Sequence, residues 1–146
     1  MKIAVGSDHN GLNLKAQLSA YLTALGHEVT DFGCRDDTPV DYPDVAAPVA
    51  RAVAAGSFER GVLICGTGLG MAIAANKVVG IRAASVSDPY SAERARKSND
   101  AQILCLGQQV VGASVAPILI EHWLGAEFQG GDSARKVKKI SALEAR

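Results

Sequence analysis

A chain of 146 residues suits one domain around a single core, and 48% of its residues are hydrophobic. Formal net charge is zero and no apolar run nears the roughly 20 residues of a bilayer span, which argues against a nucleic-acid binder and a membrane protein. Three cysteines, Cys34, Cys65 and Cys105, form neither a metal-ligand spacing nor an even disulfide set, so reduced thiols in a cytoplasm are expected.

The chain runs directly into an apolar stretch at residues 2–7, with no signal-peptide pattern, and this reads as a first strand. Residues 12–25 read as a helix, with Leu14, Leu18, Tyr21, Leu22 and Leu25 as its inward stripe and Gly26 as its stop. A second strand is expected at 28–32 and a helix at 42–55, with Asp41 or Asp44 as candidate caps. Strand 61–65 leads through a glycine turn into a helix at 71–77. A strand at 81–85, a helix at 90–97 behind Pro89 and a strand at 103–106 continue the alternation, and helices at 112–124 and 134–144 close it. Strands alternating with helices predict an α/β fold, with a parallel sheet covered on both faces. The last helix carries Arg135, Lys136, Lys138 and Lys139 and few large apolar residues. A solvated face is expected there, on a tail that packs loosely or reaches a neighbouring subunit.

Residues 60–77 carry the most chemical information. Val62-Leu63-Ile64 ends in Cys65, and Gly66, Gly68 and Gly70 then alternate with Thr67 and Leu69 before a helix-forming run. The spacing is not the Gly-x-Gly-x-x-Gly dinucleotide fingerprint, and no Gly-Lys-Ser/Thr follows as in a Walker loop. Backbone N–H groups at such a helix start are unpaired and carry partial positive charge, so they can hold an anion or a developing oxyanion. A thiol at the mouth of the turn is drawn toward thiolate by the same field. Glycine turns and buried cysteines of this kind also occur for packing alone, so this segment by itself leaves structure and function evenly balanced.

Further blocks tip that balance: Ser7-Asp8-His9-Asn10-Gly11, Asp41-Tyr42-Pro43-Asp44, Ala74-Ala75-Asn76-Lys77, Gly80-Ile81-Arg82-Ala83-Ala84 and Asn99-Asp100-Ala101-Gln102. With the cysteine–glycine block they resemble the type B ribose-5-phosphate isomerases, a family that includes galactose-6-phosphate isomerase subunits and tetrose-phosphate isomerases. The resemblance runs from Met1 to about Ile140. It implies a single three-layer α/β/α, Rossmann-like domain over residues 1–146, with a five-stranded parallel sheet and a helical C-terminal tail from about residue 130. It also implies a homodimer or higher homo-oligomer with shared active sites, in which the tail and the Asp8-His9 turn approach the partner's cysteine loop. The activity implied is aldose–ketose isomerisation of a sugar phosphate through an enediolate, with no metal and no cofactor.

Cys65 is then the proton-moving base, since Met71 stands where other members carry glutamate. Thr67 and the N–H groups of Gly66, Gly68 and Gly70 are the implied oxyanion donors. Asp8, His9 and, more weakly, Tyr42 line the implied sugar or phosphate pocket, and Asn76, Ser98 and Asn99 lie near the substrate hydroxyls. His27 and His122 match no site position and read as structural or exposed. Three departures concern the substrate. Ser98 replaces a histidine implied to open the furanose ring, Gln109 replaces an arginine, and Asp132 and Lys136 replace two tail arginines. Lysine meets phosphate as a point charge and aspartate repels it, so phosphate capture would rest on Lys136. Ribose 5-phosphate/ribulose 5-phosphate is the first expectation. A tetrose 4-phosphate, which cannot close a five-membered ring, is the close alternative. A non-catalytic sugar-phosphate-binding subunit and a flavodoxin-like nucleotide module are the readings from other classes.

Overall fold

The computed structural model describes residues 1–145. Five strands form one all-parallel sheet in the order β2-β1-β3-β5-β4: β1 Lys2–Ser7, β2 Glu28–Asp31, β3 Arg60–Cys65, β4 Ala83–Ser85 and β5 Ile103–Gly107. Six α-helices follow or link them: α1 Leu12–Ala24, α2 Tyr42–Ala54, α3 Leu69–Ala75, α4 Pro89–Lys97, α5 Ala116–Leu124 and α6 Asp132–Ala142. The three-layer reading of the sequence holds.

Strand periodicity sorts the core into two layers. Ile3, Val5, Val62, Ile64, Leu104 and Leu106 pack against Leu14, Leu18, Leu22, Ala92, Leu119 and Trp123 of α1, α4 and α5. Ala4, Leu63, Cys65, Ile103 and Cys105 point the other way, onto Val45, Val49, Met71 and Ala75 of α2 and α3. Alanine and glycine at these contacts let helices approach closely: a Cβ on Gly6 would lie 2.6 Å from Val45 Cγ1. The α6 helix has no buried residue and joins neither cluster. Gln129 N–H donates to the Lys97 carbonyl ahead of it, and the Glu144 carboxylate accepts from Gly80 N–H beyond it.

Several boundaries differ from expectation for identifiable reasons. The α1 stripe is narrower: Leu25 is 47% exposed and Tyr21 half-buried, while Lys15 is buried instead. Its ammonium meets Asp31 at 2.8 Å and the Cys34 carbonyl, which compensates the cost of burying charge. Gly26, at φ +90°, ends α1: its N–H reaches the Thr23 carbonyl and His27 N–H reaches that of Leu22. Asp41 takes the N-cap position of α2, but its side chain makes no capping bond. The α5 helix begins at Ala116, four residues later than expected from Gly112, with Pro117 in its first turn. The α3 helix begins two residues earlier than Met71, because Gly68 at φ +80° already serves as its N-cap. Among the described residues no helix is long and apolar enough to cross a membrane.

Candidate active site

The strand order reverses at β1, with β2 on one side and β3 on the other, so a crevice opens beyond the carboxyl ends of β1 and β3. Asp8 and His9 leave β1 into this crevice, and Cys65 ends β3 beside them. Asp8 is 4% exposed; its N–H donates to the Ile64 carbonyl at 3.2 Å and its carboxylate accepts from Asn10 N–H at 2.9 Å. A short 3-10 turn, His9–Gly11, follows, and a Cβ on Gly11 would lie 2.7 Å from the Ile64 carbonyl oxygen. Only glycine allows the turn to press this closely on the end of β3. His9 Nδ1 accepts from Val40 N–H at 3.2 Å, and its Nε2 lies 3.4 Å from the Asn10 amide nitrogen.

Cys65 is 5% exposed, and its Sγ accepts a hydrogen bond from Gly68 N–H at 3.0 Å. Thr67 Oγ1 accepts from Leu69 N–H at 3.3 Å. The N–H groups of Thr67 and Gly70 find no acceptor among the described residues and remain available to an incoming oxygen. The turn is pressed against its neighbours: a Cβ on Gly68 would sit 2.9 Å from the Leu106 carbonyl carbon, and one on Gly70 would sit 2.6 Å from the Tyr42 ring. Tyr42 therefore closes one side of the turn, and Gln109, whose Oε1 lies 3.2 Å from a Cβ position on Gly66, covers another. Cys105, next to Cys65 across the sheet, is held as a thiol, its pKa raised first by burial and then by Cys65 itself. Of the three buried cysteines, Cys65 alone heads the glycine turn, while Cys34 lies beside Ser7 at 3.9 Å between Sγ and Oγ.

The structure thus brings together Asp8, His9, Tyr42, Cys65, Gly66, Thr67, Gly68 and Gly70. It does not bring the remaining sequence candidates to them. In the β3–β5 register Cys65 pairs with Gly107 at the carboxyl end, whereas Gly61 pairs with Ile103 at the amino end. Ser98 and Asn99 precede β5 and lie at that amino end, about 13 Å away at about 3.3 Å per residue. The Ser98 hydroxyl accepts from the Arg94 guanidinium, which also donates to Gln129 Oε1 at 3.2 Å. The Asn99 carbonyl accepts from Arg82 Nε at 2.9 Å. Asn76 uses both ends of its amide on Ala83, at 2.8 Å each, and so fastens the end of α3 to the first residue of β4. Lys136 is exposed on α6. Within one chain, the Asp8-His9 turn lies on the end of β3 that leads into the Cys65 turn, through the Asp8–Ile64 bond.

A family model described as ribose/galactose isomerase matches residues 3–140. The chain belongs to that family. A ribose-5-P isomerase B of Listeria innocua is 49% identical over 144 residues, covering 99% of this chain and 97% of that protein. A D-erythrulose-4-phosphate isomerase of Pectobacterium atrosepticum is also 49% identical, covering 99% of this chain and 95% of its own length. The solved structure of Clostridium thermocellum ribose-5-phosphate isomerase B superposes with a TM-score of 0.98 at 52% identity, covering 99% of this chain and 97% of the other. Two residues that sequence reasoning left outside the site, Gln108 and Gln109, face the cysteine turn from the end of β5. Gln109 had been read as the loss of an arginine, and Gln108 had no assigned part. Their position directly after Gly107, at the carboxyl end of a central strand, was the signal available.

Proposed function

We propose that the chain is a cofactor-independent aldose–ketose isomerase of a sugar phosphate, interconverting ribose 5-phosphate and ribulose 5-phosphate. The observation that carries this reading is the Cys65 thiol beside free backbone donors at the switch point of the sheet, with Gly68 N–H on its sulfur at 3.0 Å. Cys65 thiolate takes the proton from the carbon adjacent to the substrate carbonyl. The released electron pair forms the carbon–carbon double bond, and the carbonyl oxygen takes up negative charge. The N–H groups of Thr67 and Gly70, with the Thr67 hydroxyl, meet the enediolate oxygens. The cysteine returns the proton to the neighbouring carbon, and a proton passes between the two substrate oxygens. His9 and Asp8 bind the substrate along one wall of the crevice and Tyr42 along the other.

The site as proposed is completed by a second copy of the chain, because Ser98, Asn99 and Lys136 cannot reach their own Cys65. Exposed Leu69 and Ile73, 59% and 63% accessible on α3 beside the turn, supply apolar surface for that contact. Three free, buried cysteines support a reducing compartment, the cytoplasm.

A tetrose 4-phosphate is the second reading, favoured by one observation. Ser98, where the family carries a ring-opening histidine, has no group that titrates near neutral pH, and its oxygen is engaged by Arg94. Equal identity to a pentose and a tetrose enzyme leaves the choice to an assay. Turnover of ribose 5-phosphate and erythrulose 4-phosphate is measured side by side on the same preparation. A larger kcat/KM for ribose 5-phosphate supports the first reading and the reverse supports the second. Binding without turnover of either substrate removes both, and leaves a sugar-phosphate-binding subunit.

A further inference from the structure

The α1 helix begins without a cap of its own, because Gly11 stands at its N-cap and offers no side chain. Helix N-termini leave backbone N–H groups that need acceptors. The acceptor comes from 94 residues away: Gln108 Oε1 takes the N–H of Leu14 at 2.8 Å. The same residue's backbone N–H donates to the Cys65 carbonyl at 2.9 Å, and Gln109 N–H donates to the Gly66 carbonyl at 3.0 Å. Gln108 is half-buried, so its amide acts within the packed interface between α1 and the end of β5. One residue therefore holds the cysteine turn with its main chain and the helix behind the Asp8-His9 turn with its side chain. His9 and Leu14 are separated only by the 3-10 turn and the first residues of α1, so a shift of the helix start is passed directly to His9.

We propose that Gln108 is a positioning residue that fixes the Asp8-His9 turn relative to Cys65. Gln108 touches neither the thiol nor, in this reading, the reacting carbons; it sets the distance between the wall that binds the substrate and the base. A misplacement of about 1 Å in such a pair costs up to about 10²-fold in rate. The inference rests on the isomerase reading above for its catalytic consequence and on geometry alone for its structural one.

Gln108→Met and Gln108→Glu in the full chain separate the two. Methionine keeps the length of the side chain and loses the acceptor. Glutamate keeps an oxygen at the same reach, at a helix N-terminus that favours negative charge. Two quantities are read: KM and kcat for whichever sugar phosphate the wild type turns over, and the imidazole ¹⁵N resonances of His9, assigned with His9→Gln. Gln108→Met is expected to lower kcat/KM by up to about 10²-fold, chiefly through kcat, and to shift the His9 resonances. Gln108→Glu is expected to restore both toward wild type. If Gln108→Met does not fold, Gln108→Ala is read the same way. The proposal is overturned if the variant without the acceptor leaves both kcat and the His9 resonances at wild-type values, or if Gln108→Glu shifts His9 as far as Gln108→Met does. Should the wild type turn over neither sugar phosphate, the isomerase reading fails, and the His9 resonances alone decide the positioning role by the same criterion.

Discussion

The two ends of the sheet are built differently. At the carboxyl end, Asp8, His9, Tyr42 and the Cys65–Gly70 turn are fixed by main-chain bonds and glycine contacts before any ligand arrives. The distances there are short and the alternatives few: Gly11 against Ile64, Gly68 against Leu106, Gly70 against Tyr42. At the amino end, Ser98 and Asn99 stand on the exit of a helix, and Lys136 is on a helix that buries nothing. There the polar groups hold one another: Asp100 accepts from Arg82 at 3.2 Å and from Arg96 at 2.8 Å, across the same loop that carries Asn99. A crevice that makes and breaks C–H bonds needs the first kind of end. Recognition of a variable substrate tail can use the second, which tolerates change because the core does not depend on it.

The largest expected effect removes the proposed base. Cys65→Ala should lower kcat by at least about 10²–10⁴-fold, the usual contribution of a positioned acid or base, with substrate affinity by calorimetry nearly unchanged. Near-normal turnover in this variant would show that the carboxyl end does not hold the base. The same protein sharpens the contrast between the ends when mixed with Asn99→Ala. If the amino-end residues act on a partner's cysteine, exchanged oligomers regain turnover that neither variant has alone, and no recovery after exchange would place both ends' work within one chain.

Gly68→Ala should come next. It forces a Cβ onto the Leu106 carbonyl at a φ of +80°, so stability should fall by about 1–3 kcal/mol in a denaturant titration, and turnover should fall with it as the N–H leaves Cys65 Sγ. An equivalent change at Gly80, also at positive φ but with open space around it, should cost less stability and spare turnover.

Ser98→His probes the other end. On the tetrose reading it should raise kcat/KM for ribose 5-phosphate and leave the tetrose rate nearly constant; an unchanged pentose rate would show that ring opening is served by another group. The smallest expected effect lies at Asp88, whose carboxylate caps α4 by accepting from Ser91 N–H at 2.7 Å. Hydrogen bonds from Ser91 lower its pKa below the usual value, side chain first and backbone second. A carboxyl group with a lowered folded pKa stabilises the fold above its unfolded pKa of about 3.9 and loses that contribution as pH falls through the folded value. Asp88→Asn should keep the cap and flatten the acid limb of a melting profile, whereas Asp88→Ala should lower the Tm slightly at neutral pH.

The sheet was legible because buried parallel strands read as unbroken apolar runs: β1 was expected at residues 2–7 and found there. Most of the carboxyl-end cluster was legible because Asp8, His9, Cys65, Thr67 and Gly68 end or follow strands, whereas Tyr42, the first residue of α2, came only with the family resemblance. Less was legible where a side chain answers a partner far away in sequence. Nothing in the local pattern around Lys15 announces that a lysine will be buried on Asp31, or that Gln108 will cap a helix 94 residues earlier. Asn76, grouped with the substrate contacts, closes two bonds on Ala83 that nothing in its local pattern announces. Periodicity sees one segment at a time, and these bonds exist only once two segments meet.

The α6 helix hangs from two points, the Lys97 carbonyl at one end and the Gly80 amide at the other, and contributes no side chain to the interior. Its residues can therefore be exchanged at little cost to the folding of the single chain. Drift in a lineage should be permissive here and strict at the glycine turn, and positions such as Asp132 and Lys136 can be retuned without first rescuing the scaffold. A family that keeps one proton-transfer machine while moving among sugars needs such a stretch, where selection on specificity is uncoupled from selection on stability.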